Sequence, residues 1–377
     1  MSLRYWKYCR DQKIKGFYEA KCVPFDNGVQ IDAGPFSHEF RVVEGCWRQP
    51  EMNDFAAYSL AALSMSNGVG FRLNASVSMD VAGQITRLTD IYRFWAIRKL
   101  APLRLELPEI VQSETPQARE GNGIICLSGG IDSTYAAIKE SHIGTISHGL
   151  LIAGADYPNA GAQGFRELRG RVGKIADRLG LQVSIIETDI RKHRLNWDMM
   201  HGFVLAACLH TMSARHNKAR IALDYAGYQE LFAHPWGNNS TLPQYFSTRP
   251  FPIAGVGREK RRVDKLAEIA AFDTDLLSDL SICFSSTETG GNCGECPKCI
   301  STRLLFHALK LDEEKVFQSK TSLDAAIDKM VVPKKLVSLR SRYLRVSETL
   351  DALPEGTIRN KLSAYEKSLR RAYVRKR

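Results

Sequence analysis

The stretch Ser128-Gly129-Gly130-Ile131-Asp132-Ser133-Thr134 combines two adjacent glycines, two serines and an aspartate between an apolar run, Gly123-Ile124-Ile125, and a helix-compatible segment, Tyr135 to Glu140. A buried strand running into such a turn and then a helix can hold an anion. The glycines let backbone N–H groups converge without Cβ clashes, and the helix N-terminus adds partial positive charge. Ser128 and Ser133 add hydroxyl donors, and Asp132 is an acceptor suited to a magnesium-bound water. An ordinary β-turn-α connection is the plainer alternative. No G-x-x-x-x-G-K-[ST] phosphate loop is present, and Gly255-Val256-Gly257 lacks the third glycine of a dinucleotide fingerprint.

A second cluster, Cys283-x9-Cys293-x2-Cys296-x2-Cys299, lies in a turn-rich segment. Four thiolates this close can close a tetrahedral Zn²⁺ site that leaves no open position for water, so the expected role is structural. An iron–sulfur cluster is the alternative. Cys9, Cys22, Cys46, Cys126 and Cys208 are scattered and read as packing residues.

The elements that must position these clusters follow from periodicity. Residues 1–112 read as a separate α+β domain, with strands at 16–23, 29–32 and 40–43, a helix from Asn53 to Met65, and strand-like alternation from Phe71 to Met79. Trp6, Trp47 and Trp95 read as core. The polar break 108–123 is the expected linker. Beyond it, strands at 145–152, 183–187 and 220–223 alternate with helices at 165–179 and 201–215, and a further helix spans 261–271. That alternation predicts an α/β, doubly wound parallel sheet, with ligands bound beyond the carboxyl ends of its strands. Residues 122–310 form this second domain, zinc knuckle included, and residues 311–377 form a basic helical extension. The long segment from His234 to Pro250 reads as a functional loop or lid.

The chain has 377 residues, 44% hydrophobic and 25% charged, which is an ordinary globular composition. No run approaches the roughly 20 apolar residues that span a bilayer, and Met1 to Lys7 lack a signal-peptide core, so a cytoplasmic location is expected. Nine cysteines are then thiols or metal ligands rather than disulfides. The net charge of +11 is concentrated: from Val331 onward there are 13 Lys or Arg against four acids. Leu336, Leu339, Tyr343 and Val346, then Leu362, Tyr365, Leu369 and Tyr373, recur at helical steps. They predict two amphipathic helices with stripes to bury, an acidic protein partner or nucleic acid being the alternatives for the basic face.

The turn from Ser128 to Ser133 resembles the SGGxDS pyrophosphate loop of the PP-loop ATP pyrophosphatases. With the cysteine cluster and the following Arg303, residues 122–310 resemble the 7-cyano-7-deazaguanine synthase family. Ala222-Leu223-Asp224-Tyr225-Ala226-Gly227-Tyr228 and Ser281-x-Cys283-Phe284 add to the likeness. The resemblance implies ATP and Mg²⁺ at Ser128, Gly129, Gly130, Ile131, Asp132, Ser133 and Thr134, with Asp132 and Ser133 catalytic. It further implies a structural Zn²⁺ and substrate contacts from Asp224 and Tyr228. It also implies cleavage of ATP to AMP and pyrophosphate, a 7-carboxy-7-deazaguanine-like substrate, and attack by ammonia or another amine. The chain departs from the family at Gln229-Glu230-Leu231-Phe232 and at Met200-His201-Gly202, and it carries extensions at both ends. A divergent relative of the kind found in anti-phage defence operons is therefore expected. Its expected partner is a small-molecule carboxylate; a protein of a defence operon and a second copy of the chain are open alternatives, the oligomeric state not being fixed by the sequence.

Three functions compete on these residues: adenylation of a carboxylate, modification of tRNA, and non-catalytic binding of a nucleotide or partner. The intact loop disfavours the last. Nucleic acid is not favoured, because no cysteine pair is placed for thiolation. Arg258 and Lys260 could neutralise phosphates but read more naturally as solvated charges. Replacing Asp132 by alanine is expected to abolish ATP cleavage with the fold intact.

Overall fold

The computed structural model describes residues 15–95, 100–112, 123–232, 236–283 and 290–375. Cys9, Trp6 and most of the expected linker lie outside these residues. The strands of the first part are β1 (Phe17–Phe25), β2 (Gly28–Asp32), β3 (His38–Glu44), β4 (Gly70–Leu73), β5 (Val77–Ser78), β6 (Leu105–Glu106) and β7 (Ile110–Val111). Those of the second part are β8 (Gly123–Cys126), β9 (Ile146–Ala153), β10 (Gln182–Thr188), β11 (Ala219–Ala222) and β12 (Ile253–Val256).

One sheet of ten strands runs β12-β11-β8-β9-β10-β3-β2-β1-β4-β6. Its half from β12 to β10 is wholly parallel. Counted from β8, the strand order is that of a doubly wound sheet, with the order reversing between β8 and β11. Ligands bind at such a reversal because the crossovers leave in opposite directions and open a crevice. The helices Ile131–His142, Gln163–Arg178 and Arg262–Phe272 cover one face around Ile125, Phe165 and Leu266. The helices Asp54–Asn67 and Trp197–Thr211 cover the other. These last two are buried almost all round, as Phe55, Leu60, Phe203 and Leu209 require.

The expected separation at residue 112 is not a boundary of packing. β3 pairs antiparallel with β10, Phe40 opposite Thr188 and Val42 opposite Ile186. A single core holds Ile31, Phe40 and Leu60 together with Ile124, Phe203 and Ile221. The first part is of mixed α+β type, as expected, but it extends the sheet and supplies a helix to its face.

Past the knuckle, the helices Leu323–Asp328, Leu336–Ala352 and Thr357–Val374 form a third core with Ile300 and Leu304 of the helix Pro297–Ala308. Leu339, Val346, Leu362 and Leu369 are buried, so the expected stripes pack inside the chain. Part of the basic charge is answered there too: Lys361 bridges Asp324 and Asp328 at 2.8 and 2.7 Å. Deleting residues 332–377 is expected to expose Ile300 and Leu304 and to lower the melting temperature by well over 5 °C. Loss of several buried Leu-sized side chains, each worth about 1.5–3 kcal/mol, sets that scale. An unchanged melting curve would count against this packing. No helix among the described residues is long and apolar enough to cross a membrane.

Candidate active site

The turn that leaves β8 lies at the order reversal of the sheet. Gly129 takes φ +71°, and a Cβ there would lie 3.2 Å from Val172, so only glycine sits without strain. Gly130 then starts the helix Ile131–His142 in an extended conformation with no side chain capping it. Its first N–H groups therefore have no partner within the helix. Ser133 ties the turn together, its Oγ lying 3.1 Å from the Ser128 Oγ and donating to the Gly130 carbonyl at 3.1 Å. The Ser281 N–H donates to the Gly129 carbonyl at 2.8 Å, so the segment leading into the cysteine cluster backs the turn directly.

Asp132 does not project as a free magnesium ligand. Its Oδ1 accepts from Lys265 Nζ at 3.0 Å and its Oδ2 from Arg262 Nη2 at 2.8 Å. Lys265 is fully buried and also donates to the Leu223 carbonyl at 2.5 Å. Burial alone would raise the Asp132 pKa, but Arg262, Lys265 and Arg345 together hold it down at about 2. A depressed carboxylate pKa stabilises the fold at any pH above its unfolded value of about 3.9. That contribution is lost as pH falls toward 2. Acid unfolding of the wild type should therefore steepen between about pH 4 and pH 2, and Asp132→Asn should flatten it there.

Arg262 and Lys265 were not among the residues expected to meet phosphate. They stand three apart at the start of the helix after β12, where the strand ends face the crevice. Arg258 is exposed, and Lys260 is half-buried and paired with Glu268 at 2.6 Å; neither lines the cavities beside the turn.

A cavity of about 290 Å³ opens beyond the turn, lined by Ser128, Gly130, Asp132, Ser133 and Arg262 on one side and Leu150 and Ile152 of β9 on another. Trp197, His201 and Trp236 form an aromatic wall, with the His201 ring 5.9 Å from Trp197 and 5.3 Å from Trp236. A second cavity of about 630 Å³ adjoins it, sharing Asp156, Trp197, Asp224, Trp236, Arg262 and Lys298. Asp224 lines both cavities, its Oδ2 accepting from Trp236 Nε1 at 2.8 Å. Tyr228 does not: it is 56% exposed and lines neither cavity. In the short helix Gly227–Glu230 it is Gln229 that turns inward, donating to Glu348 at 3.1 Å. The adjacent side chain is thereby directed outward.

Cys283, Cys293, Cys296 and Cys299 bring their sulfurs within 4.8 Å of one another, with edges of 3.4, 3.8 and 3.9 Å. Sulfurs at the Zn–S distance of about 2.3 Å on a tetrahedron would be ~3.8 Å apart, so the group could hold a metal such as zinc. Backbone N–H groups of Glu295, Cys296 and Cys299 donate to these sulfurs at 3.3–3.4 Å. Such donors favour thiolates. Arg303 braces the knuckle. It is buried, pairs with Glu313 through two contacts of 2.8 and 3.0 Å, and donates to the Gly294 carbonyl at 3.2 Å. Cys126 is a different case: burial pushes its thiol up to about 12, and burial also raises Cys208. Neither suits the thiolate chemistry of a tRNA-thiolating enzyme.

No family model, no curated protein and no solved structure matches this chain.

Proposed function

We propose that the protein activates a carboxylate with ATP. A carboxylate oxygen would attack the α-phosphorus as the bond to the β-phosphate oxygen breaks, giving an acyl-adenylate and pyrophosphate. An amine would then take the acyl group, releasing AMP and a proton. The observation that carries this reading is the placing of an uncapped Ser-Gly-Gly-Ile-Asp-Ser turn at the order reversal of the sheet, backed by the cations of Arg262 and Lys265.

The N–H groups of Gly130 to Ser133 and the hydroxyls of Ser128, Ser133 and Thr134 would hold the leaving pyrophosphate. Two buried polar atoms, Thr134 Oγ1 and Arg262 Nε, have no hydrogen-bond partner among the described residues, and Arg262 lines the cavity an anion would enter. In this reading Asp132 positions Arg262 and Lys265 rather than binding metal. Magnesium would accompany the phosphates, and Asp156 and Asp224 are the cavity carboxylates that could face it. Zinc on the four cysteines would have a structural role, since four sulfur ligands leave no site for substrate. Trp197 and Trp236, which line both cavities, suit a planar heteroaromatic group, and a 7-carboxy-7-deazaguanine-like purine is the substrate we favour. Carboxylate-dependent exchange of pyrophosphate into ATP tests the reading.

A further inference from the structure

The helix Leu336–Ala352 carries two stripes. Leu339 and Val346 enter the third core. Ser341, Arg345 and Glu348 recur at steps of four and three on another face, which meets the candidate site. Ser341 Oγ lies 2.8 Å from the Tyr225 hydroxyl. The Arg345 guanidinium lies 4.6 Å from the Tyr225 ring centroid, and its Nη2 donates to the Asp224 carbonyl at 3.0 Å. Glu348 accepts from the N–H of Val263, next to Arg262, at 2.6 Å. The extension is therefore fastened to the loop after β11 and to the start of the helix that carries Arg262 and Lys265.

Its inner face, with Ser301 and Thr302 of the knuckle helix, walls the cavity of about 630 Å³. The cations facing that space are Arg262, Lys298, Arg342 and Arg345. The acids facing it are Asp156, Asp198, Asp224 and Glu348. Of the acids, Asp224 is held by Trp236, and Glu348 by Gln229, by Val263 and, at 3.7 Å, by Arg345, whose charge it answers in part. Of the cations, Arg342 and Lys298 form no ion pair with a carboxylate among the described residues. Arg262 and Lys298 line both cavities and so stand at their junction, where a carboxylate would approach an α-phosphate.

We infer that the C-terminal extension is part of the active site: the compartment it walls receives the carboxylate substrate, with Arg342 and Arg345 of the extension as its cations. This rests on the adenylation reading for its chemistry, but the binding site stands on the cavity itself. The turn-side cavity then serves the nucleotide. Two anionic groups that must meet are each supplied with their own cations, which offsets their repulsion.

The test uses the full-length protein and titration calorimetry with two probes, 7-carboxy-7-deazaguanine and a non-hydrolysable ATP analogue. Arg342→Ala and the conservative Arg345→Lys should weaken the deazapurine carboxylate at least tenfold. Both should leave the ATP analogue within twofold, and Arg342→Ala should leave the melting temperature close to wild type. Arg342 is only half-buried, so that variant should fold even if the change at Arg345 disturbs the loop. Binding of the carboxylate that is unchanged in both variants, absent in the wild type, or lost in parallel with the nucleotide would overturn the inference. Carboxylate binding that depends on Arg342 but supports no pyrophosphate exchange would preserve the compartment and sink the adenylation reading instead.

Discussion

Asp132→Ala is expected to lower the stability of the fold by about 3–5 kcal/mol as well as to abolish ATP cleavage, because it strands a buried cation. Among the described residues, Lys265, which is fully buried, would retain only the Leu223 carbonyl, and Arg262 would lose its one carboxylate partner. The expectation from the residue order, loss of activity with the fold intact, is thus corrected: in this turn the aspartate is also a structural counter-ion. Ser133→Ala separates the two effects. It deletes a hydroxyl bonded to Gly130 at a cost of about 1 kcal/mol, and should still remove most pyrophosphate exchange. Denaturant unfolding of both variants beside wild type decides the matter. Equal midpoints for Asp132→Ala and wild type would show that Lys265 does not depend on the carboxylate.

The second large effect concerns the metal. One zinc per chain is expected at Cys283, Cys293, Cys296 and Cys299, with replacement of any one by serine costing both metal and solubility. Apparent binding free energies of structural zinc are ~10–16 kcal/mol and count as folding free energy. Here the loss should reach the candidate site as well, because Cys283 lines the turn-side cavity and Ser281 holds the Gly129 carbonyl. Chelation should therefore abolish exchange activity at the concentration that melts the knuckle. Elemental analysis finding no zinc, or iron with sulfide, would contradict the assignment.

Much of the half that carries the candidate site could be read locally. The apolar run before Ser128, the alternation of strands and helices to residue 223, and the cysteine spacing each depend on neighbours within a dozen residues. The pairing of β3 with β10 does not: it joins Phe40 to Thr188 across the whole turn region, and no periodicity in either segment encodes it. The ion pairs of Asp132 with residues 130 and 133 positions away were hidden for the same reason. The i, i+3 spacing of Arg262 and Lys265 at the first turn of a helix after a parallel strand was the available signal. Trp236 lay within a segment expected to be functional, though its bond to Asp224 depends on the return of the loop. The extension's apolar stripe was legible. Its polar stripe was not, because Ser341, Arg345 and Glu348 gain meaning only once Tyr225 and Val263 are beside them.

Adenylation is tested most directly by the products of ATP turnover. Purified zinc-bound protein, given ATP, magnesium, 7-carboxy-7-deazaguanine and ammonium, should release AMP and pyrophosphate in equal amounts, and labelled pyrophosphate should return to ATP only when the carboxylate is present. Release of ADP and phosphate, or the absence of carboxylate-dependent exchange, would contradict it.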